Sequence, residues 1–388
     1  MTLNVERVFD FAALVTPEER EWQLKARRFA TEHIAPVVED DFDTKFFRRE
    51  LIAKIAEAGF LGMHIKGYGC AGASAVAYGL VCHELEAVDS AWRTFVSVQG
   101  SLAMSAINKH GTEEQKQHYL PKMAKGEIIG CFGLTEPHGG SDPADMRTTA
   151  RRDGDSWVLN GAKRWIGLGS IADIAIIWAL ADDGLVRGFI VPTSSEGYHA
   201  ENIDGKLAMR NSVQCDITLT DVRIPADNLL PETTGLKAPF MCLNEARYGI
   251  TWGAMGAART CIEAAIERSS SREVFGSPIA GYQITQTKLA DMFVEYEKGM
   301  LLSLYIGQLK DAGKLAPFQI SVGKLNSVRE AISIASQART ILGGDGITNA
   351  YPVMRIMANL EAVRTYEGTD EIHQLVLGRE LTGIAAFA

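Results

Sequence analysis

The spacing of apolar residues changes twice along this chain, and these changes restrict its possible folds more than any other feature of the sequence. Up to about residue 130, apolar residues recur every three to four positions, as amphipathic helices require. From Cys131 they alternate with the period of β-strands, and after Pro231 the helical period returns. With 388 residues, the chain is long enough for several domains. We therefore predict a helical domain over 1–130, a β domain over 131–235 and a helical bundle over 236–388.

Two helix starts can be located from capping signals. Thr16 is followed by Pro17 and, three residues after the threonine, by Glu19. Thr112 is followed in the same way by Gln115. We expect Pro121 to interrupt or bend the helix that begins after Thr112, because proline cannot donate a backbone hydrogen bond.

The β region contains two turn signals. Asn160-Gly161 separates two short alternating segments, 156–159 and 163–166, and predicts a hairpin between them. Residues 181–184 predict a second hairpin, between strands at 173–180 and 187–191. Another alternating segment covers 215–220. Short strands separated by turns indicate a small antiparallel barrel or sandwich.

Charge and cysteine usage exclude some classes of protein. Lys and Arg number 39 against 48 Asp and Glu, so the net charge of −9 disfavours a nucleic-acid-binding protein. The six cysteines have no paired spacing, which favours a reduced, intracellular protein without a metal site. The first residues resemble no leader peptide, and no apolar stretch is long enough to cross a bilayer. We expect a soluble cytoplasmic protein of bacterial type, or a mature form from which a leader has been removed.

Two glycine-containing segments are candidate ligand contacts. In 132–142, Gly139, Gly140 and the hydroxyl groups of Thr135 and Ser141 could approach a polar ligand, or they could simply form a loop rich in turns. The segment lacks the Gly-Lys-Ser/Thr ending of a P-loop, and with no strand expected before it we exclude a dinucleotide-binding fingerprint. The segment 342–348 contains three glycines in four residues, which suits a helix end or close approach to a ligand.

Glu367 and Arg93 are the charged residues whose surroundings point most directly to chemistry. Glu367 lies between an aromatic residue and a glycine, just before Thr369, a possible helix cap. It could be a base whose pKa is raised by apolar surroundings, or an exposed first-turn residue. Arg93 could extend its head to water or bind a carboxylate within a pocket. For His373 we expect a structural role.

These segments together resemble the acyl-CoA dehydrogenase family, whose members have an N-terminal helical domain, a β-barrel and a C-terminal four-helix bundle. The resemblance rests on Leu134-Thr135-Glu136-Pro137, Gly140-Ser141-Asp142, Trp165-Ile166, Arg272 with Phe275-Gly276, 342–346 and Tyr366-Glu367-Gly368-Thr369. Within the family, the chain is most similar to the glutaryl-CoA dehydrogenases, through residues 68–72, 84–93, 244–250 and 377–384. The resemblance implies an oxidoreductase of fatty-acid or amino-acid degradation, a homotetramer, and an electron-transferring flavoprotein as acceptor.

The resemblance also implies the cofactor FAD and its contacts. Glu367 would remove the α-proton of an acyl-CoA thioester, and the β-hydride would go to flavin N5. The implied FAD contacts are Phe132, Leu134, Thr135, Ser141, Trp165, Ile166, Gly167, Thr369 and Glu371. Further contacts would come from a neighbouring subunit, namely Arg272, Phe275, Gln283 and the segment 340–344, which includes Leu342, Gly343 and Gly344.

The implied substrate is a dicarboxylyl-CoA, with glutaryl-CoA favoured and oxidised with loss of CO2 to crotonyl-CoA. Arg93 would hold the distal carboxylate, with Glu86, Thr94 and Ser97 nearby. Further contacts with the acyl-CoA would come from Ser141, Arg247, Tyr366, Gly368 and Arg379.

One departure from the family pattern leaves the substrate and the reaction open. Gly167-Leu168 follows Trp165-Ile166, where the family usually has Thr or Ser. We expect the glycine to open room for a longer diacid such as adipyl-CoA, which would be dehydrogenated without decarboxylation. The sequence is also compatible with reverse enoyl reduction, with a short-chain acyl-CoA oxidase that uses O2, and with a non-catalytic CoA-binding protein.

Overall fold

A computed structural model describes residues 5–386, apart from the side chains of Glu6 and Arg7. The first part of the chain is helical. Its α-helices are α1 (Glu6–Phe9), α2 (Pro17–Phe29), α3 (Val38–Thr44), α4 (Leu51–Glu57), α5 (Ala75–Val88), α6 (Ser90–Val96), α7 (Ser105–His110) and α8 (Glu113–Ala124). A π-helical segment, Ser97–Met104, joins α6 to α7 and makes them nearly continuous.

Both predicted helix starts are confirmed. Thr16 Oγ1 accepts from the Glu19 backbone N–H at 3.3 Å, while the Glu19 carboxylate accepts from the Thr16 N–H at 2.8 Å. Thr112 and Gln115 form the same reciprocal pair. The predicted interruption at Pro121 is wrong, because α8 continues through it to Ala124. Pro121 lies in the last turn, where its missing N–H removes only one bond of the helix.

An eight-stranded sheet follows, counted over the residues that the structure describes. Its strands are β1 (Gly130–Gly133), β2 (Thr149–Asp153), β3 (Ser156–Gly167), β4 (Ile174–Ala181), β5 (Val186–Pro192), β6 (Tyr198–Asn202), β7 (Gln214–Pro225) and β8 (Leu229–Leu230). They lie in the order β6-β7-β3-β2-β4-β5-β8, with β1 beside β4. Because β1 and β2 both run parallel to β4, the sheet is mixed, and the expectation of a wholly antiparallel domain is wrong.

The predicted hairpin at Asn160-Gly161 is also wrong, since both residues lie inside the long strand β3. Gly161 is needed there for close packing: a Cβ at this position would lie 2.5 Å from Thr148 Oγ1. The pairing of β3 with β7 shifts register at the same place, which indicates a bulge. The second predicted hairpin is confirmed, because β4 and β5 are antiparallel neighbours around Gly184.

The last part of the chain is a helical bundle. It contains α9 (Lys237–Ser271), α10 (Gln283–Asp311), α11 (Pro317–Leu342), α12 (Val353–Thr365) and α13 (Asp370–Thr382), with a two-stranded hairpin of β9 (Glu273–Val274) and β10 (Ser277–Pro278) after α9. Helix α9 packs closely on α5, because glycines face it: a Cβ at Gly256 would lie 1.9 Å from the His83 carbonyl oxygen. The sequence's order of helical, β and helical regions is therefore confirmed.

None of the helices within residues 5–386 combines the length and apolar character that a membrane-spanning segment needs. All six cysteines carry free thiols, and five of them are buried.

Candidate active site

Glu367 lies on a short turn between α12 and α13 whose backbone is strained. Its φ is +54°, in the left-handed region that a residue with a Cβ adopts only at a cost of about 1–2 kcal/mol. Gly368 follows with φ +96°, and Thr369 then caps α13 by accepting from the Ile372 N–H. Because non-glycine residues are held in this conformation mainly where a structure needs them, the strain marks Glu367 as a candidate functional residue.

Two cationic side chains bind the carbonyl groups of this turn. Lys324 Nζ, from α11, donates to the carbonyl oxygens of Tyr366 and Gly368. Arg247 Nε, from α9, donates to the carbonyl oxygen of Glu367 at 2.8 Å. The turn is therefore held against the helical bundle on both sides of Glu367.

The Glu367 carboxylate faces the protein interior. Its Oε2 atom is buried and has no hydrogen-bond partner within residues 5–386. Burial raises the pKa of Glu367 to about 7, although Arg247, Arg93 and Lys324 each lower it. The exposed first-turn interpretation is therefore wrong. A carboxyl group that exchanges its proton near neutral pH is suited to general acid–base catalysis.

Arg93 is completely buried, so the interpretation that it extends to water is wrong. Its Nε donates to Glu86 Oε2 at 2.6 Å, and its Nη2 donates to the Tyr366 hydroxyl group. Its Nη1 atom, Glu86 Oε1 and Ser97 Oγ are buried without a hydrogen-bond partner in the described part of the chain. Thr94 Oγ1 lies 3.3 Å from the same tyrosine hydroxyl. The structure thus brings together the predicted residues around Arg93 and joins them to the turn of Glu367.

Several charged groups lie around Glu367. Arg93, Arg247 and Lys324 act electrostatically on its carboxylate, and Asp370 acts on Lys324. Arg93 has one buried donor, Nη1, without a hydrogen-bond partner in the described residues. Because an unpartnered buried donor is costly, the cluster favours a ligand that brings a hydrogen-bond acceptor to Arg93.

The end of β1 and the middle of β3 form the second part of the site. Lys163 Nζ donates to Leu134 O at 3.2 Å and to Glu136 Oε1 at 2.7 Å, which fixes the segment after β1. The Arg164 N–H donates to Thr135 O at 2.9 Å. Next to it, Trp165 has a φ of +61° and is 52 % exposed. The half-exposed tryptophan therefore directly follows the residue whose backbone binds Thr135.

The remaining predicted residues of this segment differ in exposure. Phe132, Leu134 and Ile166 are buried, whereas Ser141 is exposed. The strand β1 precedes this segment, so the expectation that no strand precedes it is wrong. That expectation therefore cannot exclude a dinucleotide-binding fingerprint. The exclusion rests only on the glycine spacing, which does not fit that motif.

Gly167 joins the two parts of the site. A Cβ at this position would lie 3.3 Å from Val98 Cγ2, and Val98 directly follows Ser97. The end of β3 therefore packs on the helix that carries Arg93. Within the described residues, an added Cβ would meet no side chain other than Val98 within 4 Å, so the interpretation that Gly167 opens room stays a prediction.

Several predicted contacts lie apart from the Glu367 turn. Arg272, Phe275, Gln283, Gly343 and Gly344 are exposed, as is Arg379 near the end of α13. The Leu342 side chain is buried in the chain's own core, so a ligand could contact this residue only through its backbone. Glu371 is exposed, and the Thr369 hydroxyl group serves as the cap of α13.

Sequence reasoning missed Lys324 and Val98. Lys324 shares the buried face of α11 with Ile320, Ser327 and Val328, at helical spacing. A lysine on an apolar helix face was therefore the available signal for the first residue. Val98 had no such signal, because its contact with Gly167 joins distant segments. Within residues 5–386, no group of three or more His, Cys, Asp or Glu residues is placed to hold a metal ion.

Comparison with known proteins identifies the family. Three family models match: acyl-CoA dehydrogenase, N-terminal domain, over residues 16–127, middle domain over 131–222 and C-terminal domain over 233–382. An acyl-CoA dehydrogenase of Bacillus subtilis is 35 % identical over 95 % of this chain and 99 % of its own length. The human mitochondrial short-chain specific acyl-CoA dehydrogenase is 33 % identical over 96 % of this chain and 92 % of its own.

Among solved structures, a glutaryl-CoA dehydrogenase from Mycobacterium smegmatis in complex with FADH2 matches with a TM-score of 0.98. It is 53 % identical, and the match covers 100 % of both chains. Together with the family models, these similarities show that the chain belongs to the acyl-CoA dehydrogenase family.

Proposed function

We propose that this acyl-CoA dehydrogenase oxidises a dicarboxylyl-CoA thioester, glutaryl-CoA in particular. One observation carries the proposal. Arg93 is completely buried, and neither its Nη1 atom nor the Ser97 hydroxyl group has a hydrogen-bond partner among the described residues. The solved glutaryl-CoA dehydrogenase, at 53 % identity, supports the same substrate. The short-chain relatives, at 33–35 % identity, support the reaction but suggest a neutral acyl chain.

The cofactor is FAD, and the residues present fit it. The half-exposed Trp165 ring follows the backbone contact of Arg164 with Thr135 and offers an aromatic surface suited to a flat ring system. When bound, FAD would accept the hydride that leaves the β-carbon of the substrate. We propose that Phe132, Leu134, Thr135, Ser141, Trp165, Ile166, Gly167, Thr369 and Glu371 would hold it. A second copy of the chain would add Arg272, Phe275, Gln283, Leu342, Gly343 and Gly344.

Glu367 is the proposed base. Its buried Oε2 would take the α-proton of the thioester, a weak carbon acid that needs a base with a pKa near neutrality. The Glu367 backbone N–H would polarise the thioester carbonyl and so lower the pKa of that α-carbon. The cations Arg247 and Lys324 fix the turn that carries both groups.

Arg93 is the proposed contact for the distal carboxylate. Its Nη1 and the Ser97 hydroxyl group would donate to that carboxylate, which would supply the acceptor that both lack within the described residues. A neutral acyl chain would leave these buried donors unsatisfied, at about 1–3 kcal/mol each. The site is therefore expected to prefer a diacid to a monoacid. Ser141, Arg247, Tyr366, Gly368 and Arg379 are the remaining proposed acyl-CoA contacts.

Decarboxylation follows from the chemistry of the product. In dehydrogenated glutaryl-CoA, the γ-carbon that carries the distal carboxylate is next to the new double bond. Loss of CO2 therefore leaves a γ-carbanion that is delocalised through the double bond onto the thioester. That carbanion needs a proton, and Glu367 holds one after the first step. The product is then crotonyl-CoA. Adipyl-CoA, the longer diacid for which Gly167 would leave room, is the alternative substrate and would be dehydrogenated without decarboxylation.

The proposed substrate preference can be tested by assays with glutaryl-, adipyl- and butyryl-CoA and an artificial electron acceptor. Mass spectrometry identifies the products. Wild-type enzyme should convert glutaryl-CoA to crotonyl-CoA with the highest kcat/KM. Arg93→Gln should lower kcat/KM for glutaryl-CoA by about 100-fold, because an unpaired carboxylate would then be buried, and change butyryl-CoA far less.

Arg259→Gln is the matched control, because Arg259 is also a buried arginine paired with a glutamate of α5, Glu84, at 2.9 Å. It should affect both substrates equally. A preference for butyryl-CoA that Arg93→Gln leaves unchanged would refute the diacid proposal. An electron-transferring flavoprotein as acceptor and a homotetramer remain proposals from the family resemblance, and rapid peroxide formation in air would favour an oxidase.

A further inference from the structure

We propose that Lys324 is a positioning residue for the reaction: it fixes the strained turn that presents Glu367, and its charge favours the ionised form of that carboxylate. This inference rests on the proposed role of Glu367 as the base. Lys324 itself does not touch the reacting carbon in this role; it acts through Glu367.

The first support is the arrangement of hydrogen bonds. Lys324 is 2 % exposed and reaches from α11 to the carbonyl oxygens directly before and after Glu367, those of Tyr366 and Gly368. Arg247 takes the carbonyl oxygen between them. Three consecutive carbonyl groups are therefore bound by two cations from different helices. Such an arrangement fixes the peptide planes on both sides of one residue.

The second support is the backbone that these bonds hold. Glu367 has a φ of +54°, which disfavours any residue with a Cβ. Hydrogen bonds from charged donors are stronger than those between neutral groups, so the bonds from Lys324 and Arg247 can offset that strain. Without Lys324, Arg247 would be the one side chain in the described residues that still donates to these three carbonyl groups, and the direction of the carboxylate would be less restricted.

The third support is the set of charges around Glu367. Arg247 faces it from α9, Lys324 from α11, and Arg93 from α6, the last already paired with Glu86 of α5. On the adjoining segments, Tyr366 is bonded to Arg93, and the buried His373 of α13 is bonded to Ser321. Asp370 pairs with Arg329 and Arg364.

Burial raises the pKa of Glu367 and lowers the pKa of Lys324, in each case to about 7, and the charge of each group favours ionisation of its partner. Removal of the Lys324 charge should therefore raise the pKa of Glu367 further. This predicts a shift of the acid limb of the kcat/KM profile to higher pH, which the loss of a merely structural contact would not cause.

The test compares Lys324→Met, Lys324→Gln and Lys324→Arg with wild type over pH 5.5–9. Methionine and glutamine should lower kcat/KM about tenfold more on the acid side than on the alkaline side, which corresponds to a shift of about one pH unit. KM for glutaryl-CoA should change less than kcat. Arginine keeps the charge but not the geometry, so it should lower kcat at every pH and leave the acid limb in place.

A second readout does not depend on turnover. Infrared difference spectra over the same pH range should follow the protonated Glu367 carboxyl group, whose band is assigned by its loss in Glu367→Gln. In Lys324→Met this band should persist to higher pH than in wild type.

The matched control is Lys206→Gln. Lys206 also donates to two backbone carbonyl groups, those of Met209 and Ser212, and burial lowers its pKa to about 8. Its substitution should lower stability without moving the acid limb. An equal shift in Lys206→Gln, or an unshifted limb in folded Lys324→Met and Lys324→Gln, would overturn the inference.

If neither Lys324→Met nor Lys324→Gln folds, a shift of the acid limb of the kcat/KM profile in Lys324→Arg would overturn the inference as well. Full turnover in Glu367→Gln would instead refute the proposed base, so the two failures are distinguishable.

Discussion

At the scale of single residues, the site concentrates features that oppose stability. Glu367 combines a positive φ with a buried carboxylate oxygen, and Arg93 carries an unpartnered donor within the described chain. Each of these costs free energy in the folded chain. Such costs persist where a ligand or a reaction needs the group, so stability measurements can report on the site without any assay of activity.

The raised pKa of Glu367 gives the first such measurement. A group whose folded pKa, here about 7, exceeds its ordinary value of 4.5 stabilises the fold below pH 4.5, and this stabilisation is lost as the pH rises through 7. Glutamine cannot ionise, so Glu367→Gln should be more stable than wild type at pH 8, by up to about 3 kcal/mol. At pH 5 the difference should fall below about 1 kcal/mol, because the unfolded carboxyl group is then only half a pH unit above its own pKa. Urea unfolding at both pH values measures it.

Glu371→Gln is the control for this prediction, because it removes an exposed carboxylate from the next helix. It should give no gain at pH 8. Equal stability of Glu367→Gln and wild type at pH 8 would show that the carboxyl group is not strained by burial.

The sequence predicted the central residues of the site better than their supports. Glu367 and Arg93 stand in recognisable segments, and the structure brings both into one cluster. Lys324 and Val98 act through contacts across 42 or more residues of sequence, which local spacing cannot reveal. The same limit applies to Gly167, because its packing depends on Val98, from a helical segment distant in sequence.

At the scale of helices and strands, local signals succeeded where the backbone itself carries them. Thr16 and Thr112 cap their helices because the capping bonds lie within three residues. Asn160-Gly161 failed because packing required the glycine: Thr148 lies against it, so the dipeptide continues a strand. A turn signal and a close-packing glycine are therefore indistinguishable by sequence alone.

The close contact of α5 with α9 predicts a change in stability opposite in sign to the change that helix propensity alone predicts. Alanine is favoured over glycine in a helix by about 1 kcal/mol, yet Gly256→Ala should destabilise the protein by about 3 kcal/mol or prevent folding. Its Cβ would lie 1.9 Å from the backbone oxygen of His83, which cannot rotate away. Thermal unfolding measures the effect.

Gly378→Ala is the matched control on α13. A Cβ there meets no atom within 4 Å, so this variant should gain about 0.5–1 kcal/mol. A stable Gly256→Ala protein would mean that α5 and α9 are farther apart than the structure has them.

At the scale of the whole molecule, three distant parts of the chain meet at one point. The helix of Arg93, the end of β3 and the turn of Glu367 are joined through Val98 and Tyr366. The sequence predicted the helical, β and helical order, because hydrophobic period is a local property. It did not predict that β1 and β2 both pair in parallel with β4, because strand order depends on how the segments pack together.

The hairpin of β9 and β10 carries the last prediction, which concerns assembly. Phe275 at its tip is 98 % exposed and has a φ of +52°. Within a single subunit, the ring therefore buries almost no apolar surface, while the backbone of the residue is strained. We expect the ring to pack on a second subunit beside its FAD. Phe275→Asn suits the turn and removes the ring, so it should keep the fold but release FAD on dilution and lower the assembled mass.

Light scattering after size exclusion and the ratio of flavin to protein absorbance measure the two effects of Phe275→Asn. Leu207→Asn is the control, because Leu207 is 79 % exposed in the β region and is not among the proposed FAD contacts. It should change neither quantity. A Phe275→Asn protein with the wild-type mass and flavin content would exclude the hairpin from the subunit interface, and the strain at its tip would then need another cause.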